Sequence, residues 1–267
     1  MSLKSRIERI QRTVGVKADG IVGVNTVSAL ERALGITPAD AGPVETPASS
    51  NTHSLTLSRK GLDQIVAHEI SSERYYTQHL SAPVWPGGAS GATIGIGYDL
   101  GYRTKTAVKT DWGAHLPEST IAHLASAAGI RGDDAKGVTR SLKQAGVRVP
   151  LESAKTVFYT ASLPEFATLT RKTYPGVEKL PPDAQSALVS LVYNRGGSLK
   201  GAARKEMASI KGHVKNQDLE AIAKEIEAMK RLWEGKGLDG LLKRRDQEAR
   251  MVRRAQRTYD PAELVYV

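Results

Sequence analysis

Apolar residues recur at helical spacing along most of the chain. Leu3, Ile7 and Ile10 stand at i, i+4 and i+7, and Val27, Leu30 and Leu34 form a second stripe of that kind. From residue 58, Leu62, Ile65, Val66 and Ile70 line one face, and Ser58 is placed to cap a helix over 58–73. Similar patterns predict helices near 117–128, 133–145, 151–171, 182–195, 200–212, 217–234 and 239–257. One stretch breaks the rhythm. Residues 91–102 read GATIGIGYDLGY, β-branched and aromatic residues interleaved with four glycines and ended by an acid, Asp99. A straight strand would avoid so many glycines. Folding at Gly95-Ile96-Gly97 as a three-residue hairpin turn explains them. Ile94 then faces Tyr98, and Thr93 faces Asp99 with Cβ atoms about 5 Å apart. The glycine turn is expected to leave room for a ligand. The fold class is therefore α+β, mostly α: a helical bundle with a small β-hairpin lobe.

Residues 37–57 interrupt the helical pattern in another way. They are rich in Pro, Ala, Ser and Thr and contain no Lys or Arg, the composition of a linker. They divide a helical module, 1–36, from a large domain, 58–267. In the small module, Asp19-Gly20 and Gly23 signal turns, and Asn25 or Thr26 is positioned to cap the second helix.

Charge and composition narrow the partners. The 267 residues carry a net charge of +10. Residues 241–257 alone hold seven Lys or Arg against Asp246 and Glu248, half of that total in one predicted helix. An anionic partner is implied: a cell-wall polymer, a lipid surface or nucleic acid. Cysteine is absent, His68-Glu69 lacks the second His of a zinc-protease helix, and there is no GxSxG elbow. No metal or cofactor is implied. No run of about 18 apolar residues suggests a membrane span. The N-terminus, alternating charged and apolar residues, has no secretory signal.

The candidate chemistry lies in carboxylates. Glu69 follows Leu62, Ile65 and Val66 at +7, +4 and +3, on the apolar side of its helix. A carboxyl there must be paired or protonated. Joined to Thr93 and Asp99 on the hairpin, it makes two carboxylates in unlike settings, the requirement of glycoside hydrolysis. The helix over 182–195 ends in Tyr193-Asn194-Arg195-Gly196, with Gly196 as its C-terminal cap, and its polar groups are suited to line a cleft. Trp85, Trp112 and Trp233 are expected to pack in the core before they stack on sugars.

Two resemblances connect these motifs. IQRTVGVKADGIVGVNTVSALERALGI resembles the peptidoglycan-binding repeat of cell-wall hydrolases, which assigns wall binding to Asp19, Gly20, Gly23 and Thr26. HEISSERYY followed by SGATIGIGYDLGY resembles the phage-type lysozymes, most closely their pesticin-like branch. Weaker likeness continues through DAQSALVSLVYNRGG and GLLKRRDQEARM. The better-known phage lysozymes carry their catalytic Asp six residues before the hairpin Thr, where this chain has Gly87. The pesticin-like pattern instead has it in GYDLG, matched by Asp99. The resemblance implies a modular phage endolysin with a lysozyme-like domain: an N-acetylmuramidase cutting the β-1,4 bond of peptidoglycan, leaning towards inversion. Glu69 would be the acid, with Asp99 and Thr93 directing water. Tyr98, Tyr193, Asn194, Arg195 and Arg244 would contact substrate, and Arg244 or Arg245 would pair with Glu69. Peptidoglycan is the expected partner of a monomer, with anionic outer-membrane lipid a second partner of the basic C-terminal helix. The enzyme would be made in the bacterial cytoplasm and reach the wall through a membrane pore. A lytic transglycosylase and a non-catalytic basic wall-binding protein are the alternatives. Nucleic acid binding accounts for the charge alone and leaves the Glu–Thr–Asp set unused.

Overall fold

The computed structural model describes residues 3–15, 18, 33 and 55–267. The chain divides into two compact units, Met1–Asn51 and Thr52–Val267. In the first, helix α1 spans Leu3–Thr13. The proposed wall-binding residues Asp19, Gly20, Gly23 and Thr26, and the second helix of that module, lie outside the described residues.

The second unit is mostly helical with two small antiparallel sheets. Its first strand, β1 (Thr56–Ser58), leads directly into α2 (Arg59–Ile70). Ser58 caps α2 as its sequence signals, its Oγ accepting from the Gly61 amide at 3.1 Å. A short helical segment, Glu73–Tyr75 continued by Tyr76–Leu80, leads to the hairpin β2 (Thr93–Ile94) and β3 (Tyr98–Asp99). Helices α3 (Lys105–Trp112), α4 (Glu118–Ser126) and α5 (Asp133–Gln144) follow. Next come α6 (Leu151–Val157), α7 (Leu163–Thr173) and α8 (Pro182–Arg195). The chain closes with α9 (Lys205–Lys215), α10 (Leu219–Ala228), α11 (Asp239–Arg253) and β4 (Leu264–Tyr266).

Helix α8 is the axis of the core. Every residue from 183 to 192 is buried, polar ones included, as befits a helix covered on all sides. The polar residues are paired. Gln185 Oε1 accepts from the Thr56 amide at 2.9 Å, and Ser186 Oγ accepts from the Ser58 amide at 2.9 Å. Gly61 lets α2 approach α8 closely: a Cβ there would stand 2.3 Å from the Ser186 Cβ.

Three differences from the sequence expectation have physical causes. The predicted linker ends too late. Leu55 and Leu57 are buried, and β1 pairs with β4 in the register Thr56↔Tyr266, Leu57↔Val265, Ser58↔Leu264. The polar composition upstream hid a three-residue strand whose partner lies at the far end of the chain. The single helix expected over 151–171 is two, joined by a π-helical turn at Phe158–Ser162, where the Leu163 amide reaches back to the Phe158 carbonyl. Pro164 follows at once, and its missing N–H removes a helical hydrogen bond there. Helix α3 was not anticipated. It is short, and its signals are the Thr104 cap, accepting from the Ala107 amide at 3.1 Å, and buried Val108 and Trp112 at i, i+4.

Candidate active site

Glu69 stands one residue before the end of α2, at the edge of its apolar stripe, and its side chain keeps 22% of its exposure. It is therefore less enclosed than its spacing implied. Its Oε1 accepts from Arg244 Nη1 at 2.8 Å, while Oε2 has no partner among the described residues. Arg244 is itself buried and fully engaged. Its Nε donates to Glu248 Oε1 at 3.2 Å, and its Nη2 reaches the Ser190 carbonyl and hydroxyl at 3.1 and 3.2 Å. Arg245 points elsewhere, because neighbours on a helix project about 100° apart. Its Nη2 donates to Glu248 Oε1 at 2.9 Å and to Asn194 Oδ1 at 3.3 Å. Of the two candidate arginines, Arg244 pairs with Glu69.

The hairpin has the register its glycines predict. Thr93 faces Asp99, and Ile94 faces Tyr98. Gly95 and Gly97 hold the turn at φ of 59° and 66°, the left-handed region that favours glycine. Across its other edge Thr93 exchanges two backbone hydrogen bonds with Val84, at 2.7 and 2.8 Å. The space at the turn is filled by protein, contrary to the expectation of room for a ligand. A Cβ on Gly97 would lie 2.7 Å from Tyr193 Oη, and one on Gly95 would lie 3.1 Å from the Trp112 ring. The glycines serve close packing.

Alternation across the hairpin sorts its side chains. Ile94 and Tyr98 face the core, Thr93 and Asp99 the opposite side. Tyr98, expected to contact substrate, is 1% exposed. Its ring packs edge-on to Trp112, and its hydroxyl donates to Asp111 Oδ2 at 2.6 Å. It braces the hairpin from behind. On the other face, Thr93 Oγ1 is buried with no hydrogen-bond partner among the described residues. Asp99 Oδ1 accepts from the amides of Gly91 at 2.9 Å and Gly101 at 2.8 Å, which sets the carboxylate's orientation. Its Oδ2 has no partner among the described residues.

Tyr193 joins hairpin to helix. Its hydroxyl donates to the Ile96 carbonyl at 2.6 Å. Burial, and then the Glu69 charge, push its pKa far above the ordinary phenol range. Ser190, which holds Arg244, lies three residues earlier on α8, about 4.5 Å along the axis. One turn of α8 therefore anchors both the Glu69–Arg244 pair and the hairpin tip. The rest of the YNR motif turns away. Asn194 meets Arg245, and the Arg195 guanidinium lies over the Trp233 ring at 4.8 Å and donates to the Ala203 carbonyl at 2.6 Å. The structure brings Tyr193, but not Asn194 or Arg195, to the hairpin. Trp112 is a core residue, as expected, and the Trp233 ring has the Arg195 and Arg245 guanidiniums 4.8 and 5.8 Å from its centroid.

Ser190 and Glu248 were missed in the sequence. Their signals are a serine among Leu188, Val189, Leu191 and Val192, and an Arg–Glu pair at i, i+4 on α11. His68 enters the sequence reading only as part of an incomplete zinc-protease motif. Its Nε2 is buried without a partner among the described residues, and its pKa is lowered to about 4 by burial and then by the Arg244 and Arg245 charges. The folded state thus binds the His68 proton more weakly than the unfolded chain. Its contribution to stability is present above the unfolded value of 6.5 and is lost as pH falls from there towards about 4. With allowance for the ring's partial exposure, the loss is about 1 kcal/mol. Urea unfolding at pH 7.0, 5.5 and 4.5 checks this: the decline is expected to flatten in His68→Gln, and an unchanged slope would refute it.

Residues 54–245 match a domain family described as a domain of unknown function, DUF8812, and the chain belongs to that family. The matched span takes in Glu69, the whole hairpin, Tyr193 and Arg244. No curated protein matches the chain. No helix among the described residues is long and apolar enough to cross a membrane.

Proposed function

We propose that this protein is a peptidoglycan hydrolase with a lysozyme-like domain, an endolysin-like N-acetylmuramidase. One arrangement carries the reading. The free hydroxyl of Thr93 and the oriented carboxylate of Asp99 share one hairpin face, and a single turn of α8 ties that hairpin and Glu69 together. Glu69 donates a proton from Oε2 to the glycosidic oxygen as the bond to N-acetylmuramic acid breaks. A water held on Asp99 Oδ2, beside the enclosed Thr93 hydroxyl, attacks the anomeric carbon, and its proton passes to Asp99. Thr93 has no adjacent base to make it a nucleophile. The step uses no metal or cofactor.

Peptidoglycan is the proposed partner of a monomer that acts in the periplasm after release from the bacterial cytoplasm. The expected lipid partner has less support. Of the seven cations in residues 241–257, Arg244 and Arg245 are buried. Arg253 pairs with Glu220 and Glu227, and Arg257 with Asp183 and Glu263. Lys243, Arg250 and Arg254 remain without an ion pair among the described residues.

Mass spectrometry of fragments from purified peptidoglycan tests the reading. Hydrolysis leaves N-acetylmuramic acid reducing ends; a transglycosylase leaves anhydro ends. Asp99→Asn is expected to slow release about 100-fold and Thr93→Val about 10-fold. Anhydro products, or full activity in Asp99→Asn, would overturn the hydrolytic reading.

A further inference from the structure

Beside the candidate active site lies an aromatic residue that the mechanism does not use. Asp99 is the N-cap of a 3₁₀ turn spanning Leu100–Tyr102. Tyr102 closes that turn three residues after Asp99, about 6 Å further along the chain. Tyr102 is 60% exposed, among the most exposed large hydrophobic side chains described. Its position is nevertheless held. The hydroxyl donates to the Ala89 carbonyl at 3.3 Å, and the Arg131 guanidinium lies 4.9 Å from the ring centroid, covering one face. The stem of Arg131 packs over Gly101, where a Cβ would meet its Cγ at 2.5 Å.

The surrounding segments form one frame. The Gly132 amide donates to the Ser90 carbonyl and the Gly129 amide to the Leu100 carbonyl, both at 3.0 Å. Gly91, next to Ser90, donates to Asp99. The loop that orients Asp99 thus also sets Tyr102 and Arg131. Arg131 makes no salt bridge among the described residues; Asp133 and Asp134 open α5 two and three residues later without reaching it. The combination is an open aromatic face beside an unneutralised guanidinium. A pyranose ring stacks on the first, and a carboxylate pairs with the second.

We propose that Tyr102 and Arg131 form a saccharide subsite next to Asp99, taking an N-acetylated amino sugar that bears a carboxylate. The inference deepens the glycan-hydrolase reading and rests on it for the polymer class. Tyr102 supplies stacking that any hexosamine can use, and Arg131 selects the acidic sugar. The two contributions separate in a binding experiment.

Full-length Glu69→Gln protein, with and without the second substitution, is titrated calorimetrically with a neutral chitotetraose and with an acidic peptidoglycan fragment of similar length. Tyr102→Ala is expected to weaken both ligands about 10-fold, and Tyr102→Phe to bind as its parent. Arg131→Gln is expected to weaken the acidic fragment alone, about 10-fold or more. Thermal unfolding of each variant confirms that it is folded. If wild-type protein releases no fragments from peptidoglycan yet binding still depends on Tyr102, the hydrolytic reading fails and the subsite stands. If Tyr102→Ala binds both ligands as tightly as its parent, or Glu69→Gln binds neither at millimolar concentration, the subsite is refuted whatever the catalytic result.

Discussion

Glu69→Gln is expected to cut fragment release from peptidoglycan by about 10²–10⁴-fold, the range for loss of a general acid. The substitution keeps the shape of the side chain. The glutamine carbonyl still accepts from Arg244 Nη1, so the arginine stays in place. What disappears is an oxygen at Oε2 able to take up and give up a proton. The electrostatic cost is limited. Arg244 and Arg245 remain with Glu248, and the lost Glu69 charge is partly exposed, so about 1 kcal/mol of stability is at stake. Two measurements on the same preparation decide the matter: initial rates of muropeptide release and the thermal unfolding midpoint. A folded Glu69→Gln protein with undiminished rate would leave a non-catalytic wall-binding protein as the better description.

Glu248→Ala is expected to be the most damaging single change to stability, costing about 3–5 kcal/mol. Glu248 is fully buried, and its Oε1 alone accepts from Ser190 Oγ at 2.6 Å, Arg245 at 2.9 Å and Arg244 at 3.2 Å. Removing it strands the completely buried Arg245 guanidinium and leaves Arg244 with only Glu69 and Ser190. A unit of this size would lose about 6–20 °C in its melting temperature. Activity should fall with it, because Arg244 loses the anchor that aims it at Glu69. Glu227→Ala, which breaks the surface pair with Arg253, provides the contrast and should cost no more than about 1 kcal/mol. Equal effects of the two substitutions in chemical denaturation would show that the buried pair is no more important than the surface one.

The parts of this molecule that could be read from sequence are those set by local periodicity. Stripes such as Leu62–Ile65–Val66 locate helices, and two glycines flanking Ile96 locate a turn, because neighbours in sequence decide both. The Thr93–Asp99 register follows from the turn alone. The same alternation implied that Tyr98 must face the core if Asp99 faces outward, so its burial was derivable from the pattern that placed Asp99. Choices that depend on distant partners were not legible. Nothing near Leu55 and Leu57 announces residues 264–267, and nothing in the Arg244-Arg245 pair says which guanidinium meets Glu69. That is decided by the rotation of α11 against α8. The YNR motif shows the same limit: three adjacent polar residues look like one cluster, but helical geometry sends them to three different neighbours.

The β1–β4 sheet has a consequence for how the second unit is made. The strand that opens this unit has its partner at residues 264–266, so during synthesis β1 waits for almost the entire unit to leave the ribosome. The amides of Thr56 and Ser58 meanwhile need partners from α8, which is also made late. Contacts of such separation postpone closure of the fold to the final residues. The finished pairing also brings Leu55 and Val267 into mutual hydrogen bonds at 2.8 and 2.9 Å. Residues 55 and 267 therefore lie at the same edge of this unit. A circular permutant of this unit joining residues 267 and 55 would need only a short bridge.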